Sequence, residues 1–217
     1  MRLAIACVVT AVGLATGAAH AQSGVSWRHA PKIVVVSTDR DPRLPLVDEA
    51  VAFWNRALEE VGSGFRLGPV TRIVRPIPEG ALQSLSMAVL ANPRGPVDVP
   101  EGLGDLPGDL TVFLAQSEFV SFAGPFLPGS KRVVGIRPAD RLPLSLPNVA
   151  RNLIAHELGH AIGLGHNADP TKLMCGRPAP CRPDIYHSNE PRMFPLTDDE
   201  KRRLLALYPP EWKPQAP

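Results

Sequence analysis

Charge of one sign, long apolar runs, histidine and cysteine are all scarce in this chain. Lysine and arginine number 23 against 21 acids, a formal net charge of +2 over 217 residues. That balance argues for neither nucleic acid nor a charged membrane surface as partner. The longest apolar run lies at the amino terminus and is too short for a comfortable membrane span. No internal repeat breaks the chain into units, and the length suits one domain with a real core.

Residues 1–21, "MRLAIACVVTAVGLATGAAHA", read as a secretory signal peptide. Arg2 supplies the positive start, an apolar stretch follows, and Ala19-His20-Ala21 forms a small-residue cleavage signal, so the cut is expected near Ala21-Gln22. A lipid-anchored reading needs a cysteine at the cut, and Cys7 comes far too early. The mature protein is therefore expected to be secreted or periplasmic, with no membrane span. Its remaining cysteines, Cys175 and Cys181, are an even pair in an exported chain.

Proline is abundant, 25 residues, and closes the chain in "PPEWKPQAP". The domain boundaries that follow are 22–208 for a folded unit and 209–217 for a proline-rich, frayed tail. Within the unit, "KIVVVST" (32–38) is a β-branched strand. Apolar positions at helical spacing predict a helix over 44–62, stopped by Gly62. A second strand is expected over 64–74, residues 81–91 fit helix or strand, and 92–109 is a long loop. Strands at 110–115 and 131–138 flank another loop. A helix spans about 147–164, and the last covers 196–208, with Thr197 as N-cap and Glu200 at the capping-box position. This order predicts an α+β fold with one main sheet backed by helices.

Half of the six histidines fall inside "RNLIAHELGHAIGLGH" (151–166). On a helix, His156 and His160 are one turn apart on one face, so both imidazoles can reach one ion. Glu157 is rotated away from the ligands and is placed to reach a metal-bound water. His166 lies too far along for a straight helix. Gly163 is where the chain can turn, because glycine enters left-handed backbone without a Cβ penalty. The three histidines are then the expected ligands of one zinc ion, with a fourth position left open.

The segment "HELGHAIGLGH" resembles the zinc signature of metzincin metallopeptidases, and of the matrixins in particular. Leu173-Met174 in "NADPTKLMCG" is similar in spacing to the methionine turn beneath the metal of that family. The resemblance covers most of residues 30–208, with 156–174 its specific part. It implies a zincin-like catalytic domain: a twisted, mostly parallel sheet with an antiparallel edge strand, an active-site helix and a C-terminal helix. By resemblance, "KRVVGIRP" (131–138) would be the edge strand bordering the cleft, able to pair with an extended peptide. The implied activity is that of a secreted zinc-dependent endopeptidase, probed by protein or peptide substrates. In it, Glu157 is the general base on a metal-bound water and Met174 a supporting floor. The alternative is a non-catalytic zinc-binding or adhesion protein on the same scaffold. A monomer is expected.

Some features depart from matrixins. Asn167 follows the third histidine, where a serine is usual, and no pro-segment with an inhibitory cysteine fits before the first strand. Asp98, Asp105 and Asp109 are the calcium-ligand candidates, with solvated loop acids the ordinary reading. His29 and His187 read as surface or capping residues, and Tyr186 does not match the spacing of a catalytic tyrosine. A Cys175–Cys181 disulfide should contribute about 2 kcal/mol in the chain-entropy model, and by resemblance would stiffen a wall of the specificity pocket. Alternatively, Cys175 stands near the zinc as an inhibitory thiolate.

Overall fold

The computed structural model describes residues 26–92, 97–98, 100–103, 105, 108–124, 131–176 and 188–215. The expected signal peptide, Cys181, Tyr186 and His187 lie outside them. Among the described residues, five strands form one sheet: β1 (Ile33–Ser37), β2 (Val70–Val74), β3 (Leu110–Leu114), β4 (Phe122–Ala123) and β5 (Arg132–Ile136). Their order is β2-β1-β3-β5-β4. All neighbours run parallel except β4, which pairs antiparallel with β5, Phe122 opposite Gly135 and Ala123 opposite Val134. No described helix is long and apolar enough to cross a membrane.

Helices cover both faces, which is why β1 reads as an unbroken β-branched run. Ile33 and Val35 join one core with α1 (Leu44–Glu60) and α3 (Pro147–Ala161). Val34 and Val36 point the other way, into a second cluster under α2 (Glu79–Ala91). The Trp54 indole N–H of α1 donates to Ala155 O of α3 at 2.8 Å and locks the two helices together. The fourth helix, α4 (Asp198–Leu207), adds Leu204 to the first core. It opens with the expected capping box between Thr197 and Glu200.

Several expectations need correction. The strand predicted over 64–74 begins only at Val70. The Asn55 side chain already takes both backbone groups of Leu67, accepting its N–H at 2.8 Å and donating to its carbonyl at 3.2 Å. The ambiguous run at 81–91 is helix, with Leu82 and Leu85 fully buried against the sheet. The expected edge strand, β5, is instead interior, because β4 covers it on the far side from β3. The ring of Phe122 lies so close over Gly135 that a Cβ there would stand 2.5 Å from it. Through residue 215 the proline-rich terminus is not frayed. Trp212 packs edge-on against Phe65 with ring centroids 4.9 Å apart, and Gln215 N–H donates to Arg28 O at 2.7 Å.

Candidate metal centre

Pro147 at the first turn starts α3, where its missing N–H costs nothing. His156 and His160 then stand one above the other on the helix, with ring centroids 4.6 Å apart. The helix ends as the glycine pattern predicts. Gly163 has φ of 100°; its N–H donates to His160 O at 3.0 Å, and Leu164 N–H donates to Gly159 O at 3.0 Å. This crossed pair of bonds is the Schellman closure of a helix end. It swings the chain back so that His166 faces the helical pair.

The three Nε2 atoms converge. His160 Nε2 is 3.0 Å from those of both His156 and His166, and the remaining separation is 3.2 Å. His156 Nδ1 faces Leu173 O at 2.8 Å, and His160 Nδ1 faces Leu164 O at 2.9 Å. A carbonyl can only accept, so each of these Nδ1 atoms carries the proton and each Nε2 presents a lone pair. Two lone pairs 3.0 Å apart repel unless a cation lies between them. Three nitrogens around one zinc at 2.0–2.1 Å would be separated by about 3.3–3.4 Å in a tetrahedron. The donor set therefore fits a zinc ion. Among the described residues, these three histidines are the group that could hold a metal.

The charge state agrees with that use. Burial pushes the His160 imidazole down to about 4; the neighbouring His166 adds to the effect and the hydrogen bond to Leu164 opposes it. The ring is thus neutral at physiological pH, the form that ligates. Glu157 is also buried, on α3 beside His156. One helical step, about 100° around the axis, separates their side-chain directions.

Met174 is fully buried. A Cβ on Gly159 would lie 2.5 Å from its sulfur, so the residue packs directly under the helix between the two helical histidines. Gly176 has the corresponding relation to His166, whose ring would be 2.7 Å from a Cβ there. Asn167 N–H donates to Met174 O at 2.8 Å, and Gly176 N–H donates to Asn167 O at 2.9 Å. The segment carrying the third histidine is thereby paired to the methionine turn. Cys175 is buried within this pairing. The proposed partner, Cys181, lies outside the described residues.

Spacing alone did not single out the residues that hold this arrangement. Asn167 donates to Glu200 Oε1 at 2.6 Å, joining the third histidine's segment to α4. Arg132, Trp27 and Tyr208 surround the C-terminal end of α3. Trp27 Nε1 donates to Ala161 O at 3.0 Å, Tyr208 Oη donates to Ile162 O at 2.9 Å, and Arg132 also donates to Ala161 O. The Arg132 guanidinium lies 4.0 Å over the Trp27 ring. Burial lowers it to about 10, against the opposing influence of Tyr208. It remains a cation, suited to the negative end of a helix. Their only trace in the sequence was chemical type, because they come from distant parts of the chain. Of the acids considered for calcium, Asp109 accepts from Lys32 N–H at 2.8 Å and pairs with His29 at 3.3 Å. Asp98 and Asp105 are exposed.

No family model matches the chain. Human matrix metalloproteinase-27 is 39% identical over 54 residues, 25% of this chain and 9% of that protein. Human matrilysin is 34% identical over 53 residues, 24% of this chain and 17% of that protein. The match therefore spans less than a fifth of the length of either relative. Among solved structures, archaemetzincin from Methanopyrus kandleri aligns with a TM-score of 0.45 and 22% identity, covering 83% of this chain and 96% of that one.

Proposed function

We propose that this chain is an exported zinc-dependent endopeptidase in which His156, His160 and His166 hold the ion and Glu157 is the general base. The observation that carries the proposal is the meeting of the three Nε2 atoms, two of them forced by carbonyl partners to present lone pairs. Zinc, when bound, supplies the Lewis acidity that brings the pKa of water from 15.7 to about 7 and polarises a carbonyl. Glu157 takes the proton of the attacking water at its carboxylate and delivers it to the leaving amine. The Leu173 and Leu164 carbonyls hold two imidazoles in the ligating tautomer, as partners of a metal-bound histidine commonly do. Met174 forms the floor against Gly159.

Export after Ala21 and a Cys175–Cys181 disulfide belong to the same reading. Export accounts for a cysteine pair in an otherwise cysteine-poor chain. The mature protein acts on peptides as a monomer.

The deciding experiment is Glu157→Gln, assayed for metal content and for cleavage of a peptide mixture with and without chelator. The variant should keep one zinc and lose cleavage by about 10²–10⁴-fold, the usual contribution of a positioned base. Undiminished cleavage removes Glu157 from the mechanism. A wild-type protein that binds zinc and cleaves nothing returns the chain to the non-catalytic reading.

A further inference from the structure

Three polar side chains of α2, Glu79, Gln83 and Ser86, follow one another at intervals of four and three residues and so share one face of the helix. All three bond the connection from β3 to β4. Glu79 Oε1 accepts from Gln116 N–H at 2.8 Å; its Oε2 accepts from Ser117 N–H at 3.1 Å and from Ser117 Oγ at 2.5 Å. Gln83 Nε2 donates to Glu118 O at 3.2 Å, and Ser86 Oγ donates to Val120 O at 2.7 Å. Leu82 and Leu85 seat the same helix on the second core. The start of the connection has another anchor: Arg43 Nη2 donates to Ala115 O at 2.9 Å, and Gln116 Nε2 donates to Asp41 Oδ2 at 3.3 Å. At its end, Ser121 Oγ accepts from Arg137 N–H at 3.1 Å.

This connection delivers β4, and β4 can do little to hold itself. It is two residues long, where strands usually run to about 5–6. Beyond that ladder, Gly124 N–H donates to Val133 O at 2.9 Å. Phe122 turns into the second core under α2, and Ala123 turns to the first core, beside α3. Among the described residues β4 is the edge of the sheet on this side, and it lies alongside the helix that carries His156 and His160. A ladder this short leaves the placement of β4 over α3 to the segment that feeds it, and α2 grips that segment.

We infer that Glu79 is a positioning residue for substrate binding: from the face of the sheet opposite α3, it holds residues 116–117 and thereby sets β4 as an edge on which an extended peptide can pair. This rests on the peptidase reading above. A peptide that joins a sheet edge is held by main-chain hydrogen bonds, and an edge that must first be ordered gives up part of their contribution. Of the three side chains Glu79 contributes most, because it alone takes three donors and a carboxylate strengthens each bond. Its loss should therefore appear in KM before it appears in kcat.

The test compares zinc-loaded wild type with Glu79→Ala and Glu79→Gln on one peptide that wild type cleaves and on analogues carrying a single backbone N-methyl group, moved one position at a time. N-methylation removes a main-chain donor, so at a position that pairs with β4 it should cost wild type about tenfold in kcat/KM, the size of one or two hydrogen bonds. Glu79→Ala should keep one zinc, exchange faster at the Gly124 amide and raise KM about tenfold on the unmodified peptide, with kcat changed by less than about threefold. The N-methyl cost should shrink to less than about threefold in that variant, since coupled groups are not additive. Glu79→Gln keeps an acceptor and should lie between the two; it carries the comparison if the alanine variant does not fold. An undiminished N-methyl cost in the variants overturns the inference, as does a parallel loss of zinc and kcat, which would make Glu79 a support of the fold alone. N-methylation without cost at every position in an active wild type also overturns it and leaves the peptidase reading standing. Wild type that binds zinc yet cleaves nothing defeats the peptidase reading, and this inference with it.

Discussion

Gly159 of α3 and Met174 of the turn after His166 lie so close that no side chain fits between them: a Cβ on Gly159 would stand 2.5 Å from the Met174 sulfur and 2.7 Å from Trp54 Cζ2. Glycine inside a helix costs about 1 kcal/mol relative to alanine, and here the close approach accounts for it. Gly159→Ala should therefore destabilise the metal-free protein by about 1–3 kcal/mol, as overpacking does, despite the better helix propensity. Chemical denaturation of the chelator-treated protein measures it. A stabilised variant would show that Met174 yields freely and is not a fixed floor.

Gly163, with φ of 100°, controls a different geometry. Gly163→Ala should cost about 1–3 kcal/mol in backbone strain and also weaken zinc. The turn places the Leu164 carbonyl 2.9 Å from His160 Nδ1 and directs His166 toward the helical pair. Competition with a colorimetric chelator reads the zinc affinity. Wild-type affinity in this variant would mean that the turn tolerates another backbone conformation.

Glu200 serves two partners, one on each oxygen: Asn167 Nδ2 at 2.6 Å and Thr197 N–H at 2.7 Å. Glu200→Ala leaves the Asn167 amide short of a partner, a loss of about 1–3 kcal/mol, and loosens the segment behind His166. Thr197→Ala removes only the cap, about 1 kcal/mol. Zinc affinity should fall in the first variant and hold in the second, although both lose thermal stability. Equal affinity in both would detach α4 from the metal centre.

Zinc should raise thermal stability as a ligand of the folded state alone, by about 4 kcal/mol when free zinc exceeds its dissociation constant a thousandfold. His160→Ala should remove most of that gain, since its Nε2 is 3.0 Å from each of the other two. A melting temperature that does not respond to zinc in the wild type would remove the metal from the site.

Local chemistry made much of this legible without coordinates. The four-residue interval of His156 and His160, the glycine at 163 and the Thr197–Glu200 capping box each depend on neighbours a few positions away, so the helix face, its end and the start of α4 follow from the sequence. The β-branched run of β1 likewise announced a strand, and the fold showed it buried on both sides. The paired strand β4 left almost no trace, because two residues have no periodicity and pair only where Gly135 admits the Phe122 ring. The apolar run at 81–91 became helix because Leu82 and Leu85 found the sheet's second face, a partner remote in sequence. The long-range contacts of α3 belong to the same class: Asn148 and Asn152 reach some forty positions ahead, as in Asn152 to Phe194, and Arg132 reaches Ala161. Residue type and short spacing determined which side chains could hold an ion. Only the folded chain decided which carbonyls orient them, because a hydrogen bond between distant segments has no period to read.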